Sequence, residues 1–533
     1  PASTPSVSEL PAFETGASNE EFFKNTLLPL KPHKEKIKKM KEQENALNDT
    51  SKNLAKAYGY VIRLLERQFY KEKREFYKKL DSKMNTLLST FEFYQITVKN
   101  ENDAYRKFDL LNNRGTGLEN QDLIKTKLFS VLFRELEFDQ AHQRLTAEQA
   151  TRKQDNMARK WAEMRTSITS KNKADYKMEK FFHHFVAIKY NHDAKTGDIF
   201  KEIQDNLQLV EENYKNGSEP TDPNKKPSKI LEDIFEWAGV FLGIRLGTIF
   251  PVAGTTATHE RYNSLTKYHL SVIKKSGSEL PYHIILASYS KHFPDNLKTF
   301  GDIVSLSYRN FCRNKTIINA PQGPLEDCYK KIGNDIFAGV IGTSEEVRVN
   351  LRNNKSYQDD SNLEYRMNKL HGNWYKNSAT EYLLEIIEYL TFAGEIRNTS
   401  TKSIEHIMPQ NIENTKWPDY LGNEMSKSET EITEWHRNNV NDIGNLTLCN
   451  SKINSSVQQK LFKEKYGKVS DVEMCYAKDS YNMTKNLKFY LDDWTDQEIS
   501  KRARVLTYLI KKILSLDEID LPDCSSRVDD NSE

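Results

Sequence analysis

The stretch Ile404-Glu-His-Ile-Met-Pro-Gln410 decides how the rest of the chain is interpreted, because it places a carboxylate and an imidazole side by side. It lies where long helical periodicity changes to short β-like pieces, which is typical of a strand end. Adjacent residues of a strand point to opposite faces, so Glu405 and His406 can serve one site only if the strand ends or bends there. Pro409 favours such a break, because proline cannot donate to a strand ladder.

Two asparagines downstream complete a set that suits phosphodiester hydrolysis. Asn445 lies in Gly444-Asn-Leu-Thr-Leu448, and Asn454 follows nine residues later. A neutral His406 can take a proton from water, and oxygens of Glu405 and Asn454 suit a hard divalent metal such as Mg²⁺. The amide of Asn445 could orient the imidazole. Taken singly, each of these residues is more often structural, and only the ordered set favours a site.

The ordered set resembles the HNH (His-Me finger) nucleases, which carry an acidic residue next to a His, an Asn downstream, and an Asn or His nine residues later. More narrowly, IEHIMPQ followed by DIGNLTL and KIN is similar to the C-terminal nuclease domain of GmrSD-type modification-dependent (type IV) restriction enzymes. The resemblance implies His406 as the base, Glu405 and Asn454 as ligands of Mg²⁺ or Mn²⁺, and Asn445 as the orienting group. Many HNH proteins carry zinc-binding Cys pairs beside this site, which this chain lacks.

A second motif has the form F-x-x-L-N-x-R-G-x-x-L-x-x-x-D-L-I-K and ends at Lys125. Its structural interpretation is a helix that Gly115 or Gly117 ends with a positive φ, followed by a helix that begins near Asn120. The full string also resembles the N-terminal specificity and NTPase domain of the same family. That resemblance implies a regulatory or nucleotide-related role for five residues: Asn112, Arg114, Gly115, Asp122 and Lys125.

The family's N-terminal domain normally begins with a ParB-like core, and this core is not found here. The core bears a Tyr-Gln-Arg motif and an Asp-Gly-Gln-Gln-Arg motif, the second of which is its nucleotide site. The sequence, which starts at Pro1 without methionine, contains neither, and His142-Gln-Arg-Leu-Thr146 is only a faint and misplaced match. We therefore expect a chain that begins after that core, so that an NTP would bind only if the core were supplied separately.

Composition excludes several classes of protein. The 533 residues include 78 Lys and Arg against 76 Asp and Glu, so a globally basic, histone-like protein is excluded and nucleic-acid binding must come from local patches. No apolar run approaches the length of roughly 18 residues that a membrane-spanning helix needs. Five widely spaced cysteines and the lack of a signal peptide at Pro1 lead us to expect a reduced, soluble, cytoplasmic protein.

Helical periodicity dominates the chain, so the sequence predicts a mainly α protein with a small α+β (ββα-metal, HNH-like) nuclease domain. A strand is predicted at residues 91–99, and the polar, Pro-rich stretch 216–228 is typical of a loop or domain joint. These features predict three domains: 1–215, the helical remainder of the N-terminal specificity domain; 229–390, a helical middle domain; and 395–523, the HNH-like domain with closing helices.

Three weaker features surround the motifs. Lys452, Lys460 and Lys463, with Lys465 and Lys468 nearby, could contact DNA phosphates, although such a face is as often only solvated. The adjacent pair His183-His184 does not share a helix face, so we expect no metal site there. Five aromatic residues flank the site and could stack on bases, although core packing is favoured: Trp374, Tyr375, Trp417, Tyr420 and Trp435.

The residues and the resemblance together predict a metal-dependent DNA endonuclease with His406 as its general base. Double-stranded, modified phage DNA is the substrate that the resemblance implies, and a second copy or a partner subunit is compatible with the sequence. Two alternatives remain open. One is a non-catalytic DNA-binding or complex-forming defence component, and the other is an RNase built on the same finger.

Overall fold

A computed structural model describes the parts of the chain given below, and the chain divides into a unit of residues 1–98 and a unit of residues 99–533. In the first unit the described residues 55–60 are helical. All the elements named below belong to the second unit. The described residues are 55–60, 63, 82, 120–169, 178–248, 257–355, 357–391, 401–467, 474–490 and 493–519.

Four helices open the described part of the second unit and bury large aromatic side chains between them. Phe129 contacts Trp161 edge-on with ring centroids 6.1 Å apart, and Phe182 stacks on Trp161 at 6.0 Å. Each such side chain contributes about 1.5–3 kcal/mol when it leaves water. The helix predicted to begin near Asn120 is confirmed, with Asp122 in its first turn. The four helices are α1 (Asn120–Ala141), α2 (Ala147–Thr169), α3 (Met178–Lys189) and α4 (Ile199–Lys215).

Eight further helices continue the same apolar core. The predicted polar connection separates α4 from the next helix, which Pro227 begins at a position where proline is favoured and Gly247 ends with φ 69°. Two of these helices touch backbone to backbone, because a Cβ on Gly333 would lie 2.6 Å from the carbonyl oxygen of His283. The helices are α5 (Pro227–Leu246), α6 (Ala257–Ser276), α7 (Tyr282–His292), α8 (Leu297–Phe311), α9 (Gln322–Ala338), α10 (Ser344–Asn353), α11 (Asp360–Lys369) and α12 (Thr380–Thr391).

The C-terminal part contains an antiparallel pair of strands, in which Glu405 is paired with Thr447 and His406 with Leu446. We call this pair the hairpin for short, although its strands are joined by residues 407–445, which include two helices, and not by a tight turn. A second apolar core lies around it and includes Trp417 and Trp494. The predicted fold class, mainly α with a small α+β part, is therefore confirmed. The elements are β1 (Lys402–His406), α13 (Trp417–Met425), α14 (Glu429–Asn439), β2 (Leu446–Asn450), α15 (Ser451–Val457), α16 (Phe462–Tyr466), α17 (Asn482–Lys485) and α18 (Asp496–Leu514).

Some predictions fall outside what the structure describes or tests. The strand at 91–99 and the turn with Gly115 and Gly117 lie outside the described residues. The division into three domains stays a prediction, although the main apolar core takes in residues of α1–α12 together, as the Phe181–Phe241 ring contact at 5.7 Å illustrates. None of the helices described is long and apolar enough to cross a membrane.

Candidate functional site

The end of β1 positions the Glu405-His406 pair. His406 is the last residue of the strand, as the adjacent pair required. The Ile407 amide still donates to the carbonyl oxygen of Asn445 at 3.0 Å, and the chain bends at Ile407 and Met408. The two side chains have different partners, Glu405 binding Lys465 and His406 binding Asn441, as expected for neighbours on opposite faces of a strand.

Asn445 holds the segment that follows His406. Its fully buried amide nitrogen donates to the carbonyl oxygens of Met408 and Val440, both at 2.8 Å. Its amide oxygen accepts from the Met408 amide at 2.7 Å and from the Trp494 indole at 3.0 Å. All four hydrogen bonds of the Asn445 side chain go to groups other than the imidazole. Any effect of Asn445 on the imidazole is therefore indirect and passes through the backbone that follows His406.

The imidazole of His406 is held by a residue that the sequence reasoning missed. Nε2 lies 3.0 Å from Oδ1 of Asn441, and because that oxygen can only accept, Nε2 carries the proton. The amide nitrogen of Gln410 lies farther from the same atom, at 3.5 Å. In the neutral ring this leaves Nδ1 as the basic nitrogen. The Tyr375 ring, 41% exposed, lies 4.4 Å from the imidazole, centroid to centroid.

Burial sets the protonation state of His406. It lowers the pKa of the imidazole to about 4, against the opposing effect of the hydrogen bond to Asn441, and the positive charge of Lys465 lowers it further. At neutral pH the ring is therefore uncharged, which is the form that can accept a proton.

Glu405 is bound by a lysine rather than facing open solvent. Its Oε1 accepts from Lys465 Nζ at 2.6 Å and from the Tyr476 hydroxyl at 2.7 Å. Nζ of Lys465 also donates to the carbonyl oxygen of His406 at 3.0 Å. Burial lowers the pKa of Lys465, and the charge of Glu405 opposes that shift. The pair is a buried ion pair, whose partners depend on each other.

Asn454 lies on the same side of the hairpin as Glu405. Its amide nitrogen donates to the Ser403 hydroxyl at 3.0 Å, and Ser403 and Glu405 share a face of β1 because they are two residues apart. The carboxylate and the amide supply oxygen donors, which fit a hard divalent cation such as Mg²⁺. In the structure the ammonium of Lys465 supplies the positive charge at Oε1.

The lysines predicted to contact DNA divide into two groups. Lys452, Lys460 and Lys463 are exposed, whereas Lys465 is completely buried and Lys468 lies outside the described residues. Nothing in the local sequence separates Lys465 from its exposed neighbours, apart from its spacing after Phe462, which begins the same short helix.

The flanking aromatic residues also divide. Trp374, Trp417 and Trp435 are buried in the cores, while Tyr375 keeps an exposed ring beside His406. Tyr420 is partly buried, and its hydroxyl accepts from the Trp494 amide at 2.8 Å.

Two of the five residues assigned a role in the second motif are described. Asp122 and Lys125 lie half-buried on α1, where burial and then the charge of Arg165 lower the pKa of Lys125. Asn112, Arg114 and Gly115 lie outside the described residues. The proposed role of these five residues stays a prediction.

Comparison with known proteins gives one family match. The model for the C-terminal domain of GmrSD restriction endonucleases matches residues 343–509. That range contains both strands of the hairpin and the contacts of Glu405 and His406 described above. Among the curated proteins no match is found.

Proposed function

We propose, from the premise that residues 343–509 are the C-terminal region of a GmrSD-type restriction endonuclease, that the chain is a metal-dependent DNA endonuclease with His406 as its general base. The observation that carries the proposal is the state of this one imidazole. Its Nε2 is fixed by Asn441, its Nδ1 is left basic, and burial keeps the ring uncharged by lowering its pKa.

In phosphodiester hydrolysis the general base removes a proton from the attacking water. Nδ1 of His406 would accept it, which is worth roughly 10²–10⁴-fold in rate. Because the pKa of His406 lies below 7, nearly every molecule has an unprotonated Nδ1 at pH 7. The same low pKa makes this nitrogen a weaker base. Asn441 fixes the tautomer, and Asn445 fixes the loop that begins beside the ring.

A divalent cation, Mg²⁺ or Mn²⁺, would stabilise the charge that develops on the phosphate. Glu405 and Asn454 are the residues of this chain that would hold it. Because Lys465 neutralises Glu405 in the structure, the lysine and the cation would compete for one carboxylate oxygen. This competition makes Lys465 the residue whose replacement reports on the metal.

Double-stranded DNA, modified as the family premise implies, is the proposed substrate. The exposed lysines Lys452, Lys460 and Lys463 would bind its phosphates, and the exposed ring of Tyr375 would lie beside the reacting group. Restriction of phage DNA, cytoplasmic location, the three-domain division and a partner that supplies a nucleotide-binding core are parts of the same proposal.

The test is a cleavage assay with the full chain. Supercoiled plasmid, modified and unmodified, and a structured RNA are incubated with Mg²⁺, with Mn²⁺ or with EDTA. We expect nicking of DNA that depends on the divalent cation. Cleavage of RNA alone would favour the RNase alternative, and DNA binding without any cleavage would favour the non-catalytic one.

A further inference from the structure

Three histidines from two helices meet in the helical part of the chain, away from the hairpin in sequence. His183 and His184 lie on α3 and His283 on α7. One ring nitrogen from each lies within 4.8 Å of the others. Nδ1 of His184 and Nε2 of His283 are 3.1 Å apart. The expectation that the adjacent pair forms no metal site considered α3 alone, whereas the third histidine follows His184 by 99 positions.

The spacing suits a metal ion. Ligand nitrogens about 2.0–2.1 Å from a tetrahedral Zn²⁺ lie roughly 3.3 Å from one another. Two of the three nitrogens already have close to this separation. Imidazole is also the ligand that Zn²⁺, Cu²⁺, Ni²⁺ and Fe²⁺ share.

Each ring has a further polar group of the kind that orients metal-bound histidines. Nδ1 of His283 is 3.4 Å from the Leu280 carbonyl oxygen. Nε2 of His184 is 3.7 Å from Glu279, and Nε2 of His183 is 4.0 Å from Glu326. Metal-binding histidines usually direct their second nitrogen to a carboxylate or a backbone carbonyl. The Leu280 carbonyl oxygen is within hydrogen-bond distance of His283, whereas the two carboxylates lie farther from His184 and His183 than a hydrogen bond reaches.

The cluster is largely buried but borders a cavity. His184 and His283 are 3% and 2% exposed. All three rings line a cavity of about 760 Å³, whose wall also contains Glu279 and Glu326. The cavity offers an entry route, and it leaves room for a water or substrate atom on a metal held by the rings.

Two carboxylates beside the cluster are paired with cations of the chain, Glu279 with Arg245 at 2.9 Å and Glu326 with Lys330 at 2.9 Å. The ligands of the proposed ion are therefore the imidazoles themselves, which bind a metal ion in their neutral form.

We propose that His183, His184 and His283 bind one transition-metal dication of the Zn²⁺ class, with a fourth position that faces the cavity. The site is separate from the Glu405 and Asn454 pair, whose oxygen donors suit Mg²⁺ instead. The same 3.1 Å contact could also be a simple hydrogen bond between two neutral rings, and the experiment must distinguish the two.

The test measures metal directly rather than cleavage. The full chain is loaded with Zn²⁺, dialysed and analysed by inductively coupled plasma mass spectrometry, and the metal-free chain is titrated with Co²⁺ while the visible d–d absorption is recorded. His183→Gln is the main variant because His183 is the least buried of the three. His283→Gln is the second variant, and His192→Gln, in the loop after α3, is the matched control.

We expect one retained Zn²⁺ and a tetrahedral Co²⁺ spectrum in the wild type and in His192→Gln, and at least a roughly tenfold loss of affinity in His183→Gln, since removing one ligand weakens the site while the other two remain. The proposal is wrong if the folded wild type binds neither ion at micromolar concentrations, in which case the rings form only a hydrogen bond. It is equally wrong if His183→Gln and His283→Gln, both folded by circular dichroism, keep the wild-type affinity.

Discussion

Nζ of Lys465 lies 2.6 Å from Oε1 of Glu405, and the two side chains are 0% and 7% exposed. This contact joins α16 to the end of β1, one residue before His406. It places a cation of the chain itself beside the carboxylate that we propose as a metal ligand. If Glu405 binds the proposed cation, the stability of the hairpin and the binding of that cation are linked through one carboxylate.

Replacing Lys465 by Met should leave the Glu405 carboxylate buried, with the Tyr476 hydroxyl as its remaining partner among the described residues. Removing one member of a buried ion pair costs about 3–5 kcal/mol, so we expect a loss of that size in the free energy of unfolding, measured with urea. If Glu405 holds the proposed cation, Mg²⁺ or Mn²⁺ should raise the melting temperature of this variant more than that of the wild type.

The matched control for this experiment is Lys463→Met, two residues away and exposed, which should change stability by no more than about 0.5 kcal/mol. A Lys465→Met protein as stable as the control would contradict the ion-pair account. If the variant is destabilised but neither Mg²⁺ nor Mn²⁺ raises its melting temperature more than that of the wild type, the assignment of Glu405 as a metal ligand is contradicted.

Asn445→Ala should destabilise the hairpin strongly. The change removes four buried hydrogen bonds and leaves groups of Met408, Val440 and Trp494 without this partner. At about 1–3 kcal/mol for each buried group left unsatisfied, we expect a total loss of roughly 3 kcal/mol or more. Asn454→Ala, which removes one bond to Ser403, should cost about 1 kcal/mol and serves as the comparison. Equal unfolding energies for the two variants would refute this role.

His371 should make stability depend on pH. Its Nδ1 is 2.5 Å from the buried Asp442, and this hydrogen bond raises the pKa of His371, against partial burial that lowers it. A raised folded pKa means that the contribution is complete below the ordinary value of about 6.5 and is lost as the pH rises through the folded value. The difference in unfolding energy between wild type and His371→Gln should therefore shrink from about pH 5 to about pH 9. A difference that stays constant over this range would show that the pair contributes no proton linkage.

The exposed lysines should govern how DNA binding responds to salt. Each lysine that binds a phosphate contributes about 0.9 to the slope of log Kd against log salt concentration, so its replacement should reduce the slope by that amount. Fluorescence anisotropy with Lys452→Gln, Lys460→Gln and Lys463→Gln should show this change one residue at a time. Lys331→Gln, an exposed lysine on α9, is the control. If all three variants have the same slope as the wild type, these lysines do not bind the DNA phosphates.

Local sequence was enough to predict a strand that ends at Glu405-His406, because the change from helical periodicity to short β-like pieces and Pro409 are local signals. The partners of the two site residues were not predictable in this way. Lys465 and Tyr476 follow Glu405 by 60 and 71 positions, and packing of separate elements brings them to one oxygen.

The role of Asn445 shows the same limit. The motif indicated this residue as part of the site, but only the folded loop shows that it binds the backbone of Met408 while Asn441 binds the imidazole. The three-histidine cluster depends in turn on α3 and α7 lying side by side. Spacing within one segment could not predict either arrangement.

The measurement that tests the central claim most directly is the single-turnover rate of DNA cleavage by His406→Ala, with His406→Gln as a second variant that fills more of the site. Both are compared with the wild type in Mg²⁺, with DNA affinity measured in parallel. The account predicts that both variants cleave roughly 10²–10⁴-fold more slowly while binding DNA nearly as tightly as the wild type. Cleavage at the wild-type rate by either folded variant would contradict His406 as the general base.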